Sequence, residues 1–207
     1  MRAIVRWAPW ARWALYLAFL HAPGAAHAGA QVYEPLAASV QAAMSKAVSD
    51  HAPRKSAFKS KLDEVEWLTA MSRRLDTRIR DHRERMRLLK SVHYEATRAG
   101  LDPQMVLGLI QVESGFKKYA VSSAGARGLM QVMPFWVKLI GAKSDNLFDL
   151  RKNIRYGCVI LRHYLDIENG DIYRALGRYN GSLGKPEYPN AVQAAWKKQW
   201  QYDGKPA

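Results

Sequence analysis

Cysteine is almost missing: the 207 residues contain one, Cys158. A single chain therefore has no internal disulfide, and packing must hold the fold. Cys158 lies in the apolar stretch Tyr156–Leu161 and reads as a buried small hydrophobe rather than a reactive thiol. Acidic residues are also scarce, 18 against 32 Lys and Arg, for a formal charge of +14. The apolar run near the start, Trp13 to Leu20, falls short of the roughly 20 residues that span a bilayer. The six histidines (His21, His27, His51, His82, His93 and His163) are scattered rather than set at ligand spacings, so no metal is expected. No phosphate-binding glycine loop occurs, and no cofactor is implied. Strand signals are few, and neither an internal repeat nor a low-complexity tract stands out.

What is present begins with an export signal. Arg2, Arg6 and Arg12 precede the apolar run, and Ala26-His27-Ala28 offers small residues for cleavage. This is the layout of a secretory signal peptide, residues 1–28, cut after Ala28 or, as second choice, Ala30. An uncleaved amphipathic anchor is the competing reading. No cysteine follows the run, so a lipid-modified N-terminus has no support. Removing the signal leaves 29 basic against 18 acidic residues, or +11. Such a charge suits an anionic polymer, and export favours the cell wall over nucleic acid.

The remainder divides into a basic helical extension, 29–85, and a domain, 86–207. A short helix is expected from Gln31 to about Asp50, broken at Pro53. Helical spacing of Val65, Leu68, Leu75, Ile79, Met86 and Leu89 predicts one long helix from about Lys61 to Ala99. Arg73, Arg74, Arg78, Arg80, Arg83, Arg85 and Arg87 lie between them; with Asp76, Asp81 and Glu84 alongside, they read as a solvated face. Gly100-Leu101-Asp102-Pro103 marks a boundary, with Asp102 as N-cap and Pro103 in the first turn. Helices are predicted over Pro103–Phe116, Met130–Ile140, Asp149–Leu165, Asp171–Tyr179 and Val192–Trp200, with a small-residue loop at Ser122–Gly128 that admits at most a small β hairpin.

One residue in the Pro103–Phe116 helix breaks the pattern. At 100° per residue from Val106, Ile110 falls at about 40° and Leu109 at about 300°, and Glu113 lands between Leu109 and Val106 at about 340°. A carboxylate on an apolar arc is costly and tends to keep its proton. That property suits a general acid; a helix-end Glu paired to Lys117 is the plain alternative.

The flanking residues decide between them. Glu113-Ser114-Gly115-Phe116 is followed by Gly128-Leu129-Met130-Gln131-Val132-Met133-Pro134 and later by Tyr179-Asn180, with Asp149-Leu150-Arg151-Lys152-Asn153-Ile154 and Gly157 between. In order and approximate spacing these segments resemble the signature motifs of the soluble lytic transglycosylase (SLT) family, over roughly Met86 to Trp200. The resemblance implies a mainly α, lysozyme-like domain of the α+β superfamily. It also implies a peptidoglycan lyase that cleaves the MurNAc–GlcNAc β-1,4 bond without water and leaves 1,6-anhydro-MurNAc ends. Glu113 would be the single acid/base. Ser114 would bond the acid or a substrate group, and Gly128 would let a sugar approach the backbone. Gln131 would bind hydroxyl or acetamido groups, Met133 would line the cleft, and Tyr179 and Asn180 would face the scissile bond, with the Tyr179 hydroxyl near Glu113.

Departures from the family pattern are Arg178 where alanine is common, Gly181-Ser182 after the Tyr-Asn pair, and Ser123 where proline is frequent. Three alternatives stay open: a lysozyme-type muramidase that uses water, a non-catalytic cell-wall-binding protein, and a basic nucleic-acid binder. The expected setting is periplasmic, with glycan strands as partner and no stable membrane anchor. Residues 29–85 are free to dock on a cell-envelope or secretion-apparatus partner or to regulate access to the cleft.

Overall fold

A computed structural model describes residues 31–49, 58 and 60–204; the expected signal peptide lies outside these. The described residues form α1 (Ala38–Ser49), α2 (Lys61–Leu75), α3 (His82–Arg98), α4 (Pro103–Ser114), α5 (Phe135–Ile140), α6 (Leu150–Ile167), α7 (Ile172–Asn180) and α8 (Glu187–Ala195), closed by a π-helical turn at Trp196–Trp200. The architecture is mainly α, as expected. The hairpin is reduced to two isolated antiparallel bridges, Val121 with Arg127 and Arg127 with Val132.

The long helix expected over 61–99 is two helices. Asp81 stops it: its side chain accepts the Glu84 amide proton as an N-cap, and Glu84 completes an Asp-x-x-Glu start signal. Arg85 then fastens the turn by donating to the Ile79 and Arg80 carbonyls and to the Ser72 hydroxyl. The arginines read as a solvated face are therefore partly structural. Arg74 likewise donates to the carbonyls of Gln199 and Gln201. The helix expected from Met130 starts only at Phe135, because residues 130–134 form the loop described below. The last helix begins five residues earlier than expected, at Glu187, with Pro186 as N-cap and Pro189 in the first turn, where a missing N–H is harmless.

The centre of the molecule is α4, which packs against α3, α8 and the π-helical turn. Val106, Leu107, Leu109 and Ile110 are fully buried, so α4 is covered nearly all round. Met44 and Val48 of α1 and Trp67, Leu68, Met71 and Leu75 of α2 join the same core cluster. Cys158 is buried, as expected, and burial pushes its thiol pKa up, away from reactivity.

Charged groups fix α1 to α3 and α6. Glu95 is buried among Arg98, Arg151 and Arg155, at 3.3, 3.0 and 2.9 Å. Arg155 and Arg98 also donate to the carbonyls of Val48 and Ala47 at the end of α1. Cations thus meet the negative end of a helix dipole.

Candidate active site

The site grows from the end of α4. Asp102 caps the helix by accepting from Gln104 N, and Gly115 ends it in the left-handed conformation. Glu113 therefore stands on the last turn of a rigid, buried helix, and it is 5% exposed. Its Oε1 accepts a 2.5 Å hydrogen bond from the Tyr188 hydroxyl of α8. Its Oε2 is buried without a hydrogen-bond partner among the described residues. Burial raises the Glu113 pKa from 4.5 to about 8, against a smaller lowering by the Tyr188 hydrogen bond. Tyr188 is itself pushed well above 10 by burial and by the nearby carboxyl, so it stays a donor. The result is a carboxylic acid that holds its proton at neutral pH, clamped at one oxygen and uncommitted at the other.

Residues 127–134 pass beside this acid in a loop held by side chains rather than by a sheet. Ser114 donates to Leu129 O at 2.7 Å and to Ile110 O at 3.2 Å, tying the loop to α4. Asn153 of α6 does more. Its Oδ1 accepts from Met130 N at 2.8 Å, and its Nδ2 donates to Arg127 O and Leu147 O, each at 2.8 Å. Asn153 is 1% exposed, so these bonds have no competition from water. Two glycines make room for the arrangement. A Cβ on Gly128, whose φ is +76°, would meet Asn153 Nδ2 at 2.4 Å, and one on Gly157 would meet Met130 Sδ at 2.4 Å.

Each residue singled out in the sequence can now be placed. Glu113 and Ser114 share the end of α4, but Ser114 bonds backbone carbonyls rather than the acid. The Cβ direction of Gly128 is filled by Asn153 and Leu147, so its smallness serves loop packing. Gln131 is buried, sits at φ 47°, and donates to Gly128 O and Ala120 O at 2.9 and 3.2 Å. Its amide hydrogens are thus committed to holding a left-handed backbone in place. Met133 is half-buried against the core, and its N–H donates to Gln31. Tyr179 is fully buried and close enough to feel the Glu113 charge, yet its hydroxyl donates to Met130 O at 2.7 Å. Asn180 is buried beside it at the end of α7. Arg178, the departure noted above, is neutralised by Glu168 and Glu34.

The hydroxyl that touches the acid is therefore Tyr188, which lies outside the helix expected over Val192–Trp200 and inside the observed α8. The signal available was a proline-flanked tyrosine at the true helix start. Asn153 belonged to the recognised pattern but had no assigned role. A separate cavity of about 850 Å3, lined by α1, the end of α3 and α6, does not include Glu113.

The transglycosylase SLT domain family model matches residues 90–201. The transglycosylase of Enterobacteria phage PRD1 is 39% identical over 106 residues, which is 51% of this chain and 36% of that protein. Membrane-bound lytic murein transglycosylase C of Histophilus somni is 38% identical over 114 residues, 47% of this chain and 31% of its own. Among solved structures, an inactive mutant of the lytic transglycosylase Slt from Pseudomonas aeruginosa aligns at 25% identity and a TM-score of 0.43, over 62% of this chain and 22% of that one. The matched segments span about a third of the two sequence relatives. Through residues 90–201, more than half of its length, the chain belongs to the transglycosylase SLT domain family.

Proposed function

We propose that the protein is a peptidoglycan lytic transglycosylase in which Glu113 acts first as acid and then as base. The observation that carries this reading is Glu113 buried at the end of α4, with Oε1 held by Tyr188 and Oε2 without a hydrogen-bond partner among the described residues, a setting that favours its protonated form. The proton passes from Glu113 to the oxygen bridging MurNAc and GlcNAc as the bond from that oxygen to the anomeric carbon breaks. The carboxylate then takes the proton of the C6 hydroxyl as O6 bonds to the anomeric carbon. The 1,6-anhydro ring closes, Glu113 regains its proton, and no water is consumed. Tyr188 orients the carboxyl and steadies it during its ionised interval.

A single carboxyl is consistent with the surroundings. Glycosidases that hydrolyse by the two-carboxylate routes need a second acid within reach. Among the described residues the other two buried glutamates, Glu95 and Glu168, are each engaged by arginines. Ser114, Gly128, Gln131 and Tyr179 serve glycan binding by holding the 127–134 loop in shape; Met133 is assigned to line the cleft and Asn180 to face the scissile bond. Residues 86–207 are assigned as the catalytic domain and 29–85 as an extension available to an envelope or secretion-apparatus partner. Export to the periplasm with cleavage near Ala28 completes the reading; no helix among the described residues is long and apolar enough to cross a membrane.

The test is mass spectrometry of muropeptides released from purified sacculi by the wild type and by Glu113→Gln. Products one water lighter than reducing-end muropeptides, absent with the variant, are expected. Reducing-end products would identify a hydrolase. Binding without products from either protein would identify a non-catalytic wall binder.

A further inference from the structure

The family match begins at residue 90, yet the described chain before it reaches into the site. Gln31 is 4% exposed. Its Oε1 accepts from Trp136 Nε1 at 3.0 Å and from Met133 N at 3.2 Å. Its Nε2 has no partner within normal hydrogen-bond geometry among the described residues, but it lies close enough to the Tyr179 phenol to favour that group's ionised form. The next residues continue the same line of contact. Tyr33 packs edge-on against Phe135, with ring centres 5.7 Å apart, and Glu34 pairs with Arg178 at 3.4 Å. Every one of these partners belongs to residues 133–136 or to α7, which carries Tyr179, the phenol close enough to feel the Glu113 charge.

We propose that Gln31 is a positioning residue of the active site, supplied from outside the family domain, which fixes the 133–136 turn and Tyr179 relative to Glu113. A polar side chain so buried would ordinarily be replaced by an apolar one unless its bonds were needed. Here one carboxamide joins the indole of α5, a backbone amide of the loop and the neighbourhood of the α7 phenol. Tyr179 in turn donates to Met130 O, so the loop is fixed from the far side by Gln31 and from the near side by Ser114 and Asn153. This inference rests on the transglycosylase reading for its kinetic test and stands apart from it for its titration test.

Two variants of the full exported chain separate positioning from mere packing. Gln31→Met keeps the volume and removes both hydrogen-bonding functions. Gln31→Glu keeps the acceptor for Trp136 and Met133. For Gln31→Met on sacculi, kcat is expected to fall about tenfold, the equivalent of ~1.4 kcal/mol in the barrier, with KM within about twofold. Gln31→Glu should recover most of that loss at acidic pH, where the new carboxyl is neutral. A kcat unchanged in Gln31→Met overturns the proposal. A raised kcat also overturns it, because the segment would then be covering the site. Independently of any turnover, carboxyl 13C NMR of Glu113 is read in the wild type and in Gln31→Ala. The titratable groups facing this carboxyl are Tyr188 from α8 and Tyr179 from α7. The truncation admits water next to Tyr179, so the Glu113 pKa should fall from about 8, by about one pH unit. An unmoved titration rejects the positioning role even if the protein proves to be no transglycosylase.

Discussion

Replacing Glu113 by glutamine should make the protein more stable while removing its activity, and the gain should depend on pH in a particular way. The folded protein holds the Glu113 proton up to about pH 8, whereas an exposed glutamate releases it near 4.5. Between those values the folded state binds more protons than the unfolded chain, so raising the pH favours unfolding. The penalty is absent below the lower value, grows by ~1.4 kcal/mol per pH unit through the window, and levels off above the upper one. Across the window this amounts to ~5 kcal/mol, an order-of-magnitude figure. Glutamine escapes the penalty. It keeps an acceptor for Tyr188 but buries an amide donor, which costs about 1–3 kcal/mol at every pH. The variant should therefore be near neutral or slightly destabilised at pH 5 and stabilised by about 2–4 kcal/mol at pH 8. For a chain of this size that is a rise in Tm of roughly 5–15 °C. Urea unfolding of both proteins at half-unit pH steps from 4.5 to 8.5 measures the difference curve. A flat curve would refute the reasoning, since it would mean that Glu113 titrates alike in both states.

Three further outcomes follow from the same geometry. Tyr188→Phe removes the hydrogen bond that lowers the Glu113 pKa; the alkaline limb of the pH–kcat/KM profile, expected near pH 8 in the wild type, should move upward while kcat drops by about 10- to 100-fold. Asn153→Ala strands Met130 N and the carbonyls of Arg127 and Leu147; chemical denaturation should show a loss of about 3 kcal/mol, and sacculus turnover should fall with it. Glu95→Gln leaves Arg155 buried without its carboxylate partner. A destabilisation of about 3–5 kcal/mol is expected by the same denaturation assay, with faster protease cleavage near α1.

How far the sequence foretold this depends on the range of the interaction concerned. Helix α4 was legible because every signal for it is local: Asp102 caps it, Pro103 opens it, Gly115 closes it, and the apolar arc gave Glu113 away. The turn between α2 and α3 was hidden because the apolar spacing runs through it unbroken, and the competing signal, Asp81 with Glu84, lies among arginines that resemble an exposed helix face. Roles in the loop were harder still. Gln131 and Gly128 carry the family pattern, but whether an amide faces a ligand or its own backbone depends on a left-handed φ that composition does not reveal. Tyr188 is 75 residues from Glu113, and nothing periodic links two positions so far apart. Tyr179 was expected to place its hydroxyl near the acid; the hydroxyl donates to Met130 O, and Glu113 acts on it through charge alone.

The distribution of polar burial explains why the acid can be kept neutral at all. Charges elsewhere in the interior are matched: Glu95 has Arg98, Arg151 and Arg155, and Glu168 has Arg174 and Arg178. Such partners would lower a carboxyl pKa and make it useless as an acid at neutral pH. Around Glu113 the polar neighbours are the Tyr188 and Tyr179 phenols instead, and these are themselves too buried to ionise. A +14 protein thus keeps its described cations away from the carboxyl proposed to act as the acid. Placing an arginine or lysine within reach of Glu113 would damage the proposed chemistry more than removing Tyr188, because it would abolish the acid rather than misdirect it.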